Sequence, residues 1–506
     1  MSVRSSDRSG QISVLLALLF FLMLGISLLI FGGMREYGKT ALIEAFFDHA
    51  GEEVLTQYDC ALYDRYHVFM LDPREEEYIP GDGKKAVEDC FASGGFFRGI
   101  DTEITLDSRK TATDDNGKAL LDQIRRWETC RGIKKIPDMV NELLKNTEKK
   151  TVEGALRDVE AEPPRDDPAG EEGTVHVETE EEKKVKRTWK EWKQVLGDVL
   201  NSGILLYVVD DRSKLSSLRL PSTKDLPSKE IGRHDLTFSL DGLSLTGLGQ
   251  LKELVSKGLT YDKDSSLLTS DAFLIPYLFD HFTHYRKGDA KRSHRLSYEM
   301  EYLLGGKTGD KANLKYVADQ MFLLRFLVNY GYAVTDPEIR GEAEAMGLIL
   351  TGILGFPEGA EAAAMLLIAS LCYGESLLEV RALFSGKEVA PVKTKANWNL
   401  TFSNAAAKLG SRAEIIKPDK GINYEGYLTG LLIIRSGSRK LLYRMMDVMQ
   451  GNVSLDEPGF LMKNSISSFT WTGEFTWDPF IRRIMAFGLG FADRYTMKVR
   501  RTVIYN

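Results

Sequence analysis

The chain has 506 residues and a formal net charge of −7, and 43% of its residues are hydrophobic. This length and composition suffice for one large domain or several smaller ones with hydrophobic cores. The acidic balance and the lack of a Lys/Arg-rich stripe in the sequence argue against nucleic acid as a partner.

The first predicted element is a long apolar helix. No charged residue occurs between Gln11 and Gly33, and a helix of this length extends about 35 Å. The hydrocarbon core of a bilayer is roughly 30 Å thick, so the segment is long enough to cross it. A cleaved secretory signal has a shorter apolar region, ~7–15 residues, followed by a small-residue cleavage site. The sequence therefore predicts a basic leader over residues 1–10 and a retained transmembrane helix over 11–33.

The orientation of this span is predicted from the charges that flank it. Two arginines precede the span, whereas Arg35 and Lys39 follow it. The positive charges on its two sides, which set the orientation under the positive-inside rule, are therefore nearly balanced. The leader arginines and the amino terminus favour a cytoplasmic N-terminus and an extracytoplasmic C-terminal body. Two later apolar stretches, Met346–Pro357 and Ala362–Tyr373, are only about a dozen residues each, a length typical of buried core helices. We therefore expect a single-pass protein of the cell membrane.

The helix is expected to project beyond the membrane to about residue 65. After the span, apolar residues keep a helical spacing at Met34, Tyr37, Ala41 and Ala45. Near Gly51 the apolar stripe moves to a new face, which comprises Phe47, Val54, Tyr58 and Leu62. The pattern thus predicts a projecting helix, with or without a kink where the stripe moves.

Small residues within the span are candidate helix-packing positions, because they let a neighbouring helix approach closely. Ser13 and Ala17 are four residues apart, and Gly25 lies seven residues before Gly32. Glycine is common in membrane helices generally. An anchor with incidental small residues is therefore the alternative.

An α+β segment is predicted for residues 66–147, with strands at 66–72 and 97–108. The composition then changes between 148 and 187, a stretch with 13 acidic residues, 8 basic residues and no aromatic residue. Such a stretch buries too little apolar surface to offset the entropy lost when its chain is ordered. We therefore expect a disordered insertion or linker there.

Residues 188–506 are predicted to form a helix-rich body that packs with 66–147. Helical patterns prevail to about residue 452, and extended patterns occur at 397–403, 467–477 and 495–505. The segment 467–477 is typical of two alternating strands around a turn at a glycine. Because strands occur near both ends of the chain, we predict an α+β fold with a small, mostly antiparallel sheet to which both ends contribute.

The sequence LLGGKTGDK at 303–311 is similar to the end of a phosphate-binding loop at Gly306, Lys307 and Thr308. That loop requires an earlier glycine, but Glu301 stands at the position, and the preceding residues have a helical rather than a strand pattern. We therefore predict a turn between two helices.

Two further patterns carry weak metal-site signals. Asp211 and Ser213 fit the first positions of an Asp-x-Ser-x-Ser motif, but its second serine is missing. His281 and His284 could share a helix face, with His294 further on, but one such pair is more often a surface or half-buried feature than a metal site. We predict no metal and no cofactor. Since no nucleophile or acid–base motif stands out, we also predict no catalytic residues.

The cysteines are too few and too widely spaced for a disulfide scaffold or a zinc site; they are Cys60, Cys90, Cys130 and Cys372. An extracytoplasmic location would permit one disulfide among the first three. Free structural cysteines are the alternative, and the sequence leaves both open.

The N-terminal segment RSGQISVLLALLFFLML has a short basic head, a glycine and then a long apolar helix. In this order it resembles the class III signal of type IV pilin-like proteins, in particular the TadE/TadG pseudopilins of tight-adherence (Tad) pili. The resemblance implies cleavage by a prepilin peptidase between Gly10 and Gln11. Leu15 stands where that family has a glutamate.

Longer blocks resemble an uncharacterised family of membrane-anchored proteins from Gram-positive, largely clostridial bacteria. Among them are EYLLGGKTGDKANLKYVADQMFLLR and YLTGLLIIRSGSRKLLYRMMDVMQGN. Members of this family are typically associated with Tad-like pilus components. The resemblance implies that setting and carries no catalytic residues.

These features predict a non-enzymatic, membrane-anchored extracytoplasmic component of a Tad-type pilus or related secretion apparatus, with a minor pilin-like or assembly role. The expected partners are the membrane and other pilin-like or pilus-assembly proteins, and the oligomeric state stays open. One alternative is a surface enzyme acting on cell wall or polysaccharide. Another is a surface ligand-binding module unrelated to pili.

Overall fold

The computed structural model describes residues 8–71, 78–92, 95–131, 179–221, 225–229, 274–289, 291–353, 357–435, 439–479 and 494–505. Its helices are α1 (Arg8–Leu55), α2 (Cys60–Tyr66), α3 (Tyr78–Ala92), α4 (Lys118–Arg131), α5 (Glu180–Ser202), α6 (Ile204–Val208), α7 (Leu274–His281), α8 (Glu299–Gly305), α9 (Asp310–Ala333), α10 (Pro337–Ile353), α11 (Ala360–Phe384), α12 (Ala405–Gly410), α13 (Tyr424–Arg435) and α14 (Arg439–Asp456). Its strands are β1 (Asp101–Thr111), β2 (Ile466–Trp477) and β3 (Tyr495–Ile504).

The chain divides into two compact units. The first combines Met1–Gln123 with Phe460–Asn506, and the second comprises Ile124–Gly459. The three strands form one antiparallel sheet, in the order β1-β2-β3, within the first unit. The predicted α+β class is thus confirmed, with a small sheet built from both ends of the chain and a long N-terminal apolar helix.

The helix α1 extends without interruption over 48 residues, about 70 Å at 1.5 Å per residue. It ends at Leu55 and not near residue 65, so the predicted end is wrong. The side chain of Asp59 accepts the N–H of Leu62 at 2.7 Å and caps the separate helix α2. Because that cap requires an extended residue before α2, the two helices cannot be continuous.

The C-terminal half of α1 packs on the sheet through one apolar stripe. Its buried residues recur every three or four positions, as one helix face requires, at Ile43, Phe47, Ala50 and Val54. The Phe47 ring stacks on Trp471 at 4.8 Å and meets Phe475 edge-on at 5.7 Å. Burying an aromatic ring of this size stabilises the fold by about 1.5–3 kcal/mol.

The strand β2 is continuous, so the predicted turn within 467–477 is wrong. Gly473 pairs with Ile104 of β1 and Val499 of β3 in the middle of the ladder. A Cβ atom at Gly473 would lie 2.9 Å from the Phe47 ring and 2.8 Å from the Phe475 ring. The glycine therefore provides space for aromatic packing against α1 and does not form a turn.

Two other predicted extended segments are not strands. In the predicted strand 66–72, residue 72 lies outside the described residues; of 66–71, Tyr66 ends α2 and Leu71 forms an isolated bridge to Ile466. Within 397–403 the carboxylate of Glu375 accepts the backbone N–H groups of Asn399 and Leu400. A buried side chain thus replaces the strand partner that these amides would otherwise need.

The predicted charged linker lies mostly outside the described residues, which resume at 179. Its last part is helical, contrary to the prediction, because α5 begins at Glu180. Thr179 and Glu182 form a reciprocal capping box, in which the Thr179 side chain accepts from the Glu182 N–H at 3.3 Å. This cap and the buried face of α5, which includes Trp192, stabilise a helix despite the charged composition.

The second unit is built around α11. Among the described residues, two helices are long and apolar enough to cross a membrane, α1 and α11, but 89% of the apolar window of α11 is buried. Phe322 of α9 packs edge-on against Tyr373 of α11 at 4.7 Å. The indole N–H of Trp192 donates to Ser370 Oγ at 2.9 Å. As predicted, the Ala362–Tyr373 stretch is part of a core helix.

Candidate functional site

The apolar N-terminal half of α1 is the most prominent exposed surface of the described chain. Every residue from 12 to 31 is exposed, and the 18-residue apolar window has no buried part. Phe20 and Phe21 are 64% and 67% exposed. Soluble monomers rarely expose apolar patches of this extent, which mark membrane or protein contacts.

The sequence-predicted residues lie at different positions along this surface. Gly10 and Gln11 are within the first turns of α1, and cleavage between them stays a prediction. Ser13, Ala17 and Gly25 are exposed, and no atom lies within 4 Å of a Cβ built at Gly25.

Gly32 differs from the other three predicted packing positions because it is buried. Over residues 12–55, Gly32 is the first buried residue of α1, and the buried positions that follow it are those of the stripe that faces the sheet. Ser13, Ala17 and Gly25 are therefore the predicted packing positions that a neighbouring helix could reach.

Beyond the span, α1 has a covered face and an uncovered face. The predicted stripe of Met34, Tyr37, Ala41 and Ala45 is exposed throughout, with Tyr37 78% exposed. Lys39, Ile43 and Phe47 face the body and are buried. The sequence thus identified two apolar faces, but only the sheet determines which one is covered.

The boundary between the exposed and the packed halves of α1 carries cations and aromatic rings. The Trp477 indole donates to Glu36 Oε2 at 2.8 Å. Lys39 Nζ lies 5.5 Å from the ring centroids of both Phe96 and Trp477, and Arg35 lies 5.3 Å from Phe96. These contacts attach α1 to the sheet just after its apolar half ends.

The segment that is similar to a phosphate loop is a turn between α8 and α9, as predicted. Gly306 ends α8 in the left-handed conformation, with φ 63°. The Asn313 side chain accepts from Lys307 N at 2.7 Å and donates to Lys307 O at 2.8 Å. Because a side chain already satisfies this backbone, the turn offers no cradle of free N–H groups for phosphate.

The weak metal-site patterns serve local structure. Asp211 accepts from the N–H and the hydroxyl of Ser213 and caps a short turn. His294 Nδ1 lies 2.8 Å from Glu299 Oε1, whereas burial lowers the pKa of His284 to about 4. Within the described ranges, no three His, Cys, Asp or Glu side chains form a metal-binding group.

A buried carboxyl in α8 is the most unusual ionisable group of the second unit. Glu301 is fully buried, and its Oε1 accepts from Tyr285 N at 2.9 Å and Tyr424 OH at 2.6 Å. Its Oε2 has no hydrogen-bond partner in the described structure. The pKa of Glu301 is raised to about 7. Burial is the main cause, the charge of Asp310 acts in the same direction, and the hydrogen bonds from Tyr424 and Tyr285 partly oppose the increase.

Sequence reasoning missed Glu301, which it considered only as a departure from the phosphate-loop pattern. No local signal marks the residue, because Tyr285 and Tyr424 come from distant segments. A carboxyl with a pKa near neutrality is suited to general acid–base chemistry when substrate can reach it. Glu301 also links three segments of the chain through its hydrogen bonds to Tyr285 and Tyr424.

A second buried network joins α9, α11 and the segment after α11. Arg325 donates to both carboxylate oxygens of Glu379 at 2.9 Å, and Lys393 bonds to Glu379 at 2.7 Å and to Glu375. Burial alone would raise the pKa of Glu379, but Arg325 and Lys393 outweigh it and lower the pKa to about 2. Two cations balance two anions, as buried charges require.

A family model described as a family of unknown function, DUF5702, matches residues 178–477, which is more than half of the chain. The chain belongs to this family. No curated protein and no solved structure shows significant similarity to it.

The region matched by the family contains helices α5–α14 and ends at Trp477, the last residue of β2. Both buried networks therefore lie inside the matched region. The exposed helix α1 and the strands β1 and β3 lie outside it.

Proposed function

We propose that the chain is a membrane-anchored, extracytoplasmic and non-enzymatic component of a Tad-type pilus or related secretion apparatus, with a minor pilin-like or assembly role. The observation that carries the proposal is the division of α1 into a fully exposed apolar half and a half that packs on the sheet. A single rigid helix thereby connects the bilayer to the body.

The proposed mechanism is lateral packing of the exposed half of α1 against other pilin-like helices. Helices associate in membranes through close backbone approach at small residues. Ser13, Ala17 and Gly25 offer such positions and are uncovered by the body. The exposed face at Ala41 and Ala45 would extend the same contact above the bilayer.

A non-enzymatic role is supported by how the described buried carboxylates are used. Glu299 accepts from Thr283 N and Asn452, Asp310 accepts from Ser297 N and Tyr298 N, and other buried carboxylates bond to cations or hydroxyl groups. Side chains that hold loops in this way have a structural role that needs no substrate.

Gene deletion and complementation test the proposal. Deletion is expected to abolish or strongly reduce piliation and adhesion, and the wild-type gene should restore both. A matched complementing gene that lacks residues 12–31 should fail to restore them although the body is produced. Normal piliation and adhesion in the deletion strain would contradict the proposal.

N-terminal sequencing of the mature protein tests the pilin-like part separately. An N-terminus at Gln11 is expected, because the resemblance places a prepilin-peptidase site after Gly10. An intact Met1 or Ser2 would indicate a simple anchor, and a start beyond Gly33 would indicate a cleaved secretory signal.

A surface enzyme acting on cell wall or polysaccharide is the second candidate. The raised pKa of Glu301 speaks for it, and the complete burial of that side chain speaks against it. Its test is hydrolysis of purified cell wall by the full chain and by Glu301→Gln. Activity that the substitution removes without loss of folding would support the enzyme, and an inactive wild-type protein would argue against it.

A further inference from the structure

The membrane end of the first unit can be located along α1. We define the collar as Arg35, Tyr37, Phe96, Arg98, Trp477 and Tyr495. The rings of Trp477 and Tyr495 lie 4.8 Å apart, and Trp477 bonds to Glu36. The collar thus lies at the first turn of α1 after Met34, the last residue before the charges begin.

The opposite end of the sheet lies far along α1. Arg501 bonds to Asp48 at 2.7 Å, and the Tyr505 hydroxyl donates to Leu55 O at 2.8 Å. The strand β3 therefore follows α1 in the same direction, with its first residues at the collar. Its last residues are about 30 Å away at 3.4 Å per residue.

The height of the collar matches the headgroup layer. Arg35 to Lys39 occupy about 7 Å of helix rise, and the polar layer on each side of a bilayer is roughly 5–8 Å thick. If α1 spans the bilayer up to Gly33, the collar cannot stand clear of the lipid headgroups.

The side chains of the collar have the chemistry of a membrane interface. Tyr rings are enriched at headgroup level, and Arg side chains bind lipid phosphates there. Trp477 is itself buried, at 1% exposed, and supports the ring of Tyr495. Tyr37 and Tyr495 are 78% and 49% exposed, and Arg98 next to Phe97 is exposed. The nearby carboxylate of Asp101 is paired with Arg494, which limits repulsion of phosphate.

We propose that the collar is a lipid-contact surface that seats the first unit directly on the headgroup layer. Lipid phosphates are bound at Arg35 and Arg98, and the rings of Tyr37 and Tyr495 lie among the headgroups. The inference rests on the proposed membrane anchoring by α1 and adds the surface on which the body stands.

The test compares fluorescent labels at the two ends of β3 in the full chain. Thr496 and Thr502 are both exposed threonines on the same sheet face, and each bonds to a threonine of β2. They lie about 20 Å apart along the strand. Thr496→Cys and Thr502→Cys are made with Cys60, Cys90 and Cys130 replaced by serine, so the collar itself is unchanged.

The labelled proteins are placed in vesicles of equal amounts of phosphatidylglycerol and phosphatidylcholine, with nitroxide on the headgroups. The label at Thr496→Cys is expected to lose most of its emission, and the label at Thr502→Cys to keep nearly all of it. Equal quenching at both positions would overturn the collar proposal.

A third label distinguishes this failure from failure of the anchor. Leu24→Cys lies within the apolar half of α1, so nitroxide on the acyl chains should quench its label. If the Leu24→Cys label is quenched but the two β3 labels are alike, only the collar proposal fails. If the Leu24→Cys label is not quenched, the membrane anchor and the collar proposal both fail.

Discussion

The carboxyl of Glu301 lies in a buried environment that favours its protonated form over its charged form. Its pKa of about 7 exceeds its ordinary value of 4.5, so the folded state binds the proton more tightly than the unfolded state does. The contribution to stability is therefore complete below about pH 4.5 and is lost as the pH rises through 7. A shift of this size corresponds to about 3 kcal/mol.

Glu301→Gln should remove this pH dependence. We expect the stability of the wild type relative to the variant to fall by about 2–3 kcal/mol between pH 5 and pH 8. The measurement is urea unfolding of the full chain in detergent at both pH values. The comparison with the variant is needed because His284, with its pKa lowered to about 4, titrates with the opposite sign.

Glu361→Gln is the matched control for this experiment. Glu361 is exposed on α11 in the same unit, so its substitution should leave the pH dependence of the wild type unchanged. If Glu301→Gln keeps the full pH dependence, another group is responsible for it.

At the scale of single elements, the local sequence pattern predicts which segments are helices and strands, whereas long-range packing determines how a residue within them is used. The 3.6-residue periodicity of α1 and the alternation in β3 appear within each segment, and both elements were predicted. The turn proposed at Gly473 was wrong because a glycine in a strand has the same sequence appearance whether the chain turns or an aromatic ring approaches. The rings of Phe47, more than 400 residues earlier, and of Phe475 occupy the space at Gly473, and the packing of Phe47 is not visible in the local sequence.

Two glycines in α3 provide a matched test of this packing. A Cβ at Gly83 would overlap the indole of Trp471, whereas nothing lies within 4 Å of a Cβ at Gly81. Gly83→Ala should therefore lower the free energy of unfolding by about 1–3 kcal/mol through overpacking. Gly81→Ala should change it by less than about 1 kcal/mol, in either direction. Near-UV circular dichroism during urea unfolding measures both, and equal effects would contradict the packing.

At the scale of the whole molecule, the first unit combines the two ends of the chain, and α1 belongs to it. The hydrophobic core of the first unit takes its α1 residues from Ile43 onward, after the exposed half of the helix. Anchoring and folding should therefore be separable.

Deletion of residues 12–31 tests that separation. The truncated chain should be recovered without detergent, because the exposed apolar half is gone. Its unfolding midpoint should match that of the full chain within experimental error. Membrane fractionation and urea unfolding measure the two properties, with the full chain as the control. A truncated chain that stays in the membrane fraction would reveal a second attachment.

The apolar span, the strand β3, the core helix α11 and the turn at Gly306 followed from the sequence alone. Each depends on a local property of a short segment: its hydrophobic periodicity, its length or its turn-forming residues. Residues close in sequence determine such properties, so they can be recognised without knowing the tertiary structure. The tertiary structure alone decided which face of α1 is covered, why Gly473 and Gly83 lack side chains, and why the pKa of Glu301 is raised. Those features depend on partners that are distant in sequence, and burial by such partners alters packing and pKa without any local signal.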